Sequence, residues 1–361
     1  MISVADTHAA GRRTRCRRSH PVGWLFFVAG LLLLAGCGAR APESERLQGA
    51  TMGTTWSLVL VGTGQRDGLQ DELEATLEAV NASMSTYRQD AEISAINRLP
   101  PGEPIAVSAA FATVLEAALA VGEGSDGAYD VTVGPLVDLW GFGAASEDEW
   151  SLPAPGEIAA VRGAVGQSLL DWKPGQRTLS KRAPVALDFS SIAKGYAVDR
   201  LAEVLEKRGY GNYLVEIGGE MRAAGESPRG DAWRVAIERP VPGQRAAALG
   251  LELVDSAIAT SGDYRNFVEY QGKRYSHTID PRTGYPVTHD LVSVTVLHES
   301  CMMADAWATA LSVAGPDEAL RLAEANGLAV YLLRRQGDGL IAASSSAFDA
   351  LQAAAAGETT E

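Results

Sequence analysis

Three side chains within one short run could assemble chemistry: Asp188, Ser191 and Lys194 stand at intervals of three in L-D-F-S-S-I-A-K-G-Y-A-V-D, residues 187–199. If a helix begins early in this run, the three share one side of it. A carboxylate, a hydroxyl and an ammonium converging on a helix N-terminus make a place for a metal or a phosphate group. The plainer alternative is a capped helix with a solvated lysine, in which Asp188, Ser190 and Ser191 accept from the first N–H groups. Asp305 and Thr309 lie four apart in a second predicted helix, which puts carboxylate and hydroxyl on one face. That pair suits a hard cation such as Mg²⁺, which takes oxygen ligands and keeps water or substrate phosphate for the rest. A solvated polar face would carry the same two residues. Of the five histidines, His277, His289 and His298 are candidates for base or ligand. His277 falls on a predicted strand over 275–280, three residues before Asp280; a packed structural histidine is the alternative. S-G-D-Y-R-N from Ser261 adds a polar turn, or simply a hairpin.

Several familiar constellations are missing. There is no G-x-G-x-x-G opening a βαβ unit and no G-x-x-x-x-G-K-[ST], so a nucleotide would have to be held differently. G-x-S-x-G and H-E-x-x-H are also absent, which removes the commonest hydrolase and zinc readings.

The elements that must position these groups follow from hydrophobic period and punctuation. A first strand is expected within 47–61, where Met52 to Trp56 leads into the alternation of Trp56, Leu58 and Leu60. A helix over 67–87 carries the stripe Leu69, Leu73, Leu77, Val80 and Met84. Residues 94–99 read as a loop because Pro100, Pro101 and Pro104 forbid a continuing helix. Ser108 caps a helix over 109–123, a new element starts at Ala128, and 157–165 is a short helix. Small strands are expected at 169–172 and 178–180. Ala186, Leu187 and Phe189 then read as the buried end of a strand running into a helix that continues to 208, with Gly209 just past its end. Strands are predicted at 213–217, 233–237, 247–253, 257–261, 291–297, 329–334 and 340–344, with Gly284 at positive φ in the turn after Asp280. Helices are predicted at 302–313 and 317–326, and the Ala-rich 346–361 reads as a flexible tail. There is no internal repeat and no strict βαβ alternation. The fold class expected is α+β, with mixed, largely antiparallel sheets and packed helices.

The chain has 361 residues and an apolar fraction of 46%, enough for a substantial core. At its N-terminus Arg12, Arg13, Arg15, Arg17 and Arg18 precede an uncharged apolar run from Pro21 to Gly36. That run is short for a spanning helix, which needs about 20 apolar residues, and it has the layout of a signal peptide. It ends in Leu34-Ala35-Gly36-Cys37, which resembles the lipobox of bacterial lipoproteins. The organisation expected is a signal peptide over 1–36 cleaved before Cys37, acylation of Cys37, a linker over 37–46, one domain over 47–345 and the tail. The inner membrane is favoured over the outer, although Gly38 replaces the Asp that forms one retention cue. Of three cysteines, only Cys301 remains once Cys16 is cleaved and Cys37 acylated, so no disulfide framework is available. The formal charge is −14, and removing the five Arg and one Asp of 1–36 leaves −18. Such an acidic chain argues against a nucleic-acid partner.

Eight blocks occur in order: T-M-G-T-T-W from Thr51, M-S-T-Y-R from Met84, G-A-Y-D-V-T-V-G-P-L-V from Gly127, L-D-F-S-S-I-A-K-G-Y-A-V-D from Leu187, I-G-G-E from Ile217, A-T-S-G-D-Y-R-N from Ala259, H-T-I-D-P-R-T-G-Y-P from His277 and A-D-A-W-A-T-A from Ala304. The order resembles the ApbE family of FAD:protein FMN transferases, periplasmic flavin-trafficking lipoproteins, over about 47–340. The resemblance implies a T-fold-like α+β domain and a Mg²⁺-dependent enzyme. Such an enzyme cleaves FAD, joins FMN through a phosphoester to a Thr or Ser of an acceptor flavoprotein, and releases AMP. It further implies that Met52, Tyr87, Ala128, Tyr129, Asp130, Asp188, Lys194 and Ile279 line the FAD site and that Ser191, Asp305 and Thr309 hold the metal. The acceptors implied are flavoprotein subunits of membrane redox complexes. His277 is the expected base, with Asp280 as alternate. Two departures stand out: Ala308 occupies the position where some relatives have an acid before the Thr, and others have Glu where this chain has Lys194. An FAD pyrophosphatase and a non-catalytic FAD-binding lipoprotein are the alternative functions.

Overall fold

The computed structural model describes residues 43–143, 151–240, 246–262, 267–337 and 339–358. The expected signal segment, the expected acylation site Cys37, all but the end of the linker, and Asp263 to Asn266 of the polar turn lie outside the described residues.

The framework is one eight-stranded sheet whose spatial order is its chain order. Its strands are β1 (Ser44–Thr51), β2 (Thr54–Val61), β3 (Tyr213–Ile217), β4 (Glu220–Ala224), β5 (Ser256–Gly262), β6 (Leu291–His298), β7 (Ala329–Gln336) and β8 (Gly339–Ser344). Every neighbouring pair is antiparallel. The expected strand over 47–61 is therefore a hairpin, with Thr51 opposite Thr54 and Met52 and Gly53 between them at φ 49° and 71°. Two successive positive φ values match the right-handed twist of the flanking strands.

Around the sheet lie α1 (Leu69–Met84), α2 (Glu92–Arg98), α3 (Ala109–Gly124), α4 (Gly134–Leu139), α5 (Pro155–Arg162), α6 (Ala193–Lys207), α7 (Cys301–Ala314), α8 (Pro316–Ala325) and α9 (Ser346–Glu358). Strand alternation decides what each sheet face meets. Trp56, Leu58, Leu60, Val215, Ile217, Val294 and Val296 join the main core with α1, α6 and α7. Val61, Ala223, Ile258 and Leu297 belong to a second core, covered by the hairpin of Trp233–Glu238 and Ala247–Leu253 and by Phe348 of α9. A third, small cluster joins Leu136, Trp140, Ile158 and Ile279.

The structure corrects four expectations. Residues 94–99 are mostly helix α2, because Pro100 and Pro101 follow its C-cap Leu99 and forbid only its continuation. Ile93 and Ile96, three apart, bury its inner face. The strand expected over 275–280 is broken, with Lys273–Ser276 pairing to Phe267–Tyr270 and Ile279–Asp280 pairing to Tyr285–Pro286; His277 lies between. The segment expected as a flexible tail forms α9, anchored by the buried Phe348 against Tyr331 at a ring distance of 5.4 Å. Finally, 186–189 is no sheet strand and the helix after it starts only at Ala193. Leu187 is held by a side chain instead: its N–H donates to Asn97 Oδ1 at 2.8 Å and its carbonyl accepts from Asn97 Nδ2 at 2.9 Å. Asp188 N donates to Val131 O at 2.7 Å.

Candidate active site

The N-cap of α6, Ile192, has no side-chain oxygen to offer its helix. The early N–H groups find other acceptors: Ala193 N donates to Phe189 O at 2.8 Å, and Gly195 N donates to Asp305 Oδ2 of α7 at 3.0 Å. The approach needs a glycine, since a Cβ at 195 would lie 2.3 Å from Cys301 O and 2.8 Å from Asp305 Cβ. The converse contact closes the other end. Asp199 of α6 accepts from Ser300 Oγ at 2.7 Å and from Cys301 N and Met302 N at 3.0 Å, with Arg222 Nη1 at 2.8 Å as its counterion. Each helix thus caps the start of the other, which fixes Lys194 relative to Asp305.

Lys194 Nζ is 2.7 Å from Glu220 Oε1 and 3.7 Å from Asp305 Oδ1. Burial by itself would lower the lysine pKa, but Asp305 and Glu220 outweigh it and hold the ammonium above the ordinary range. Burial raises the Glu220 carboxyl, against the opposing pull of Lys194. Glu220 is only 5% exposed, and its Oε2 has no hydrogen-bond partner among the described residues. In the sequence Glu220 is marked only by its place in I-G-G-E. The available signal was an acid opening a strand directly after a Gly-Gly turn.

Next to this group, Ser191 Oγ donates to the Tyr129 hydroxyl at 3.0 Å. Burial pushes the Tyr129 phenol well up; Ser191 counters this, and Asp305, Asp188 and Asp130 add to the rise. Tyr129 therefore remains protonated, with the Ser191 hydroxyl at its own. Asp188 accepts from Ser190 N at 2.7 Å and from Ser190 Oγ. It closes a local turn, and since α6 begins five residues later, the spacing of Asp188, Ser191 and Lys194 is not a helical face. Asp130 has both oxygens engaged, by Thr132 N and Oγ1 at 2.8 and 2.6 Å and by Gln167 N at 2.9 Å. Ala128 is buried beside it.

His277, Ile279 and Asp280, close together along the chain, form a second group. His277 faces Phe142 edge-on at 6.4 Å. Ile279 is buried, and Asp280 accepts from Arg282 N and Nε at 2.8 and 2.9 Å and from Arg282 Nη2 at 3.0 Å. Gly284, at φ 82° as expected, gives its carbonyl to Trp140 Nε1 at 2.8 Å. The strand Ile279–Asp280 packs on α7, the helix of Asp305, so the two groups share an element. Tyr87 is 72% exposed. Met52 packs partly buried at the β1–β2 turn.

Among the described residues no three His, Cys, Asp or Glu side chains are grouped to hold a metal. What is present is one carboxylate with an oxygen free of backbone contact, Asp305 Oδ1, a half-buried Thr309 one turn on, and the Ser191 hydroxyl. All are hard oxygen donors. They fit a Mg²⁺ that draws its remaining ligands from water and substrate phosphate, and do not fit a soft or fully protein-enclosed metal.

The family profile described as the ApbE family matches residues 52–332. A Vibrio cholerae protein named FAD:protein FMN transferase is 46% identical over 329 residues, which are 90% of this chain and 97% of that one. One of the same name from Haemophilus influenzae is 44% identical over 339 residues, 91% and 97% of the two chains. The solved flavin transferase ApbE from Vibrio cholerae superposes with a TM-score of 0.80 at 43% identity, covering 86% of this chain and 99% of that one. The apo Pseudomonas stutzeri flavinyl transferase ApbE gives 0.80 at 40% identity over 87% and 98%.

Proposed function

The chain belongs to the ApbE family, and from that premise we propose that it is an FAD:protein FMN transferase, with FAD as substrate and a flavoprotein as acceptor. The observation that carries the reading is an identity of 46% extending over 97% of a transferase of that name.

The chemistry fits what the residues offer. The oxygen of an acceptor Thr or Ser bonds to the FMN-side phosphorus, the bond from that phosphorus to the bridging oxygen breaks, and AMP leaves carrying that oxygen. The hydroxyl proton passes to His277 as general base, and Asp280 is engaged by Arg282. The Lys194 ammonium, at the N-terminus of α6, adds positive potential where a pyrophosphate would lie. Mg²⁺ held by Asp305, Thr309 and Ser191 would supply charge neutralisation and Lewis acidity at the phosphoryl oxygens. Tyr87 and Met52 offer an exposed ring and a polarizable thioether for the flavin or adenine faces. The acyl anchor at Cys37 would hold the domain on the periplasmic side of the inner membrane, within reach of flavoprotein subunits of membrane redox complexes.

The test is incubation with FAD, Mg²⁺ and a candidate acceptor subunit, followed by a denaturing gel viewed for flavin fluorescence. A fluorescent acceptor band with AMP release supports transfer. Free FMN and AMP without a band would instead mark a pyrophosphatase, and FAD binding without AMP a binding protein.

A further inference from the structure

We propose that Glu220 is a positioning residue that holds the Lys194 ammonium off the Asp305 carboxylate and so keeps Asp305 open to a divalent cation. The inference rests on the reading of Asp305 as a cation ligand.

Lys194 stands between two carboxylates at unequal distances, 2.7 Å from Glu220 and 3.7 Å from Asp305. Asp305 Oδ2 is engaged by the Gly195 N–H, so the oxygen nearest the lysine, Oδ1, is the one left for a cation. With Glu220 gone, the ammonium would have Asp305 as its remaining anion and would settle on that same oxygen. It would then act as an internal competitor of the metal. Glu220 is built to prevent this. It opens β4 immediately after Gly218 and Gly219, at φ 64° and 113°. A Cβ at Gly218 would lie 3.4 Å from Glu220 Oε2, 3.5 Å from Lys194 Cδ and 3.0 Å from Thr54 Cγ2, so the glycine turn leaves the space in which the pair meets. One carboxylate oxygen is nonetheless buried without a partner. A buried ion pair with an unsatisfied oxygen adds little to stability; its effect is the placement of the ammonium.

The test is Mn²⁺ binding followed by the EPR signal of free Mn²⁺, with FAD present, on the full protein. Glu220→Gln should weaken binding by about 10-fold to 100-fold, the range for partners that orient a ligand without touching the metal. Glu220→Asp keeps the charge but shortens the reach, and should weaken binding too. The double variant Lys194→Met with Glu220→Gln removes both the competitor and its tether, and should bind Mn²⁺ more tightly than Glu220→Gln alone. A double variant as weak as Glu220→Gln would overturn the proposal in favour of Glu220 as a direct ligand. An unimpaired Glu220→Asp would overturn it in favour of local charge alone. Wild-type protein that binds no Mn²⁺ would remove the metal reading and this inference with it, whereas wild-type binding indifferent to Glu220→Gln removes the inference only.

Discussion

The carboxylate of Asp305 accepts the backbone N–H of Gly195 at 3.0 Å, so one side chain is both the cap that α6 lacks locally and the candidate cation ligand. Asn at 305 preserves an acceptor for Gly195 without the charge, whereas Ala removes both. Asp305→Asn and Asp305→Ala should each lower Mg²⁺-dependent AMP release by at least ~100-fold, the upper end for mere outer-shell partners. Only Ala should also cost about 1 kcal/mol in urea denaturation for the lost cap. Full turnover in the Asn variant would remove Asp305 from the metal site.

Gly195→Ala sets two effects against each other. In an exposed helix the change would stabilise by about 1 kcal/mol. Here the new Cβ meets the Cys301 carbonyl oxygen at 2.3 Å, and backbone cannot rotate away as a side chain can. The clash should win, with a net loss of about 1–3 kcal/mol and reduced FAD cleavage as α6 and α7 part. A variant more stable than wild type would show that the helix spacing is not set at this residue.

His277→Ala separates chemistry from binding. Flavin transfer should fall by about 10²–10⁴-fold, the usual range for a general base, while FAD binding, read by quenching of flavin fluorescence, persists. Loss of binding would reassign His277 to the pocket.

Cys301 carries a pH signature. Burial, followed by the Asp199, Asp305 and Glu220 charges, raises its thiol well above the ordinary range. The unfolded thiol ionises from about pH 8.5, while the folded one stays protonated. The stability it contributes is therefore fully present below that value and lost as pH rises above it. Between about pH 8 and pH 10, wild type should lose urea stability relative to Cys301→Ala by about 1.4 kcal/mol per unit once the unfolded thiol is fully ionised. Parallel pH profiles would contradict a buried, protonated thiol.

Much of the fold was readable because local rules and tertiary packing agreed. The stripe of α1, the Ser108 cap of α3 and the positive φ of Gly284 are all matters of a few neighbouring residues. Where reading failed, a distant partner was responsible. Asn97 brackets Leu187 across 90 residues, so an apolar run that looks like a strand needs none. The Ala-rich end has little local pattern, and becomes α9 because Phe348 finds the second core.

The same division runs through the site. By itself the chain determined the family, through eight ordered blocks. It could not determine which carboxylates face one another. The intervals of Asp188, Ser191 and Lys194 suggested one helical face, yet the helix begins at Ala193 and Lys194 turns to Glu220 and Asp305. Those two partners come from β4 and α7, and spacing along a chain carries no record of them. Charge pairing depends on distance in space, and here that distance is decided by two helices that cap each other and by a glycine that lets them touch.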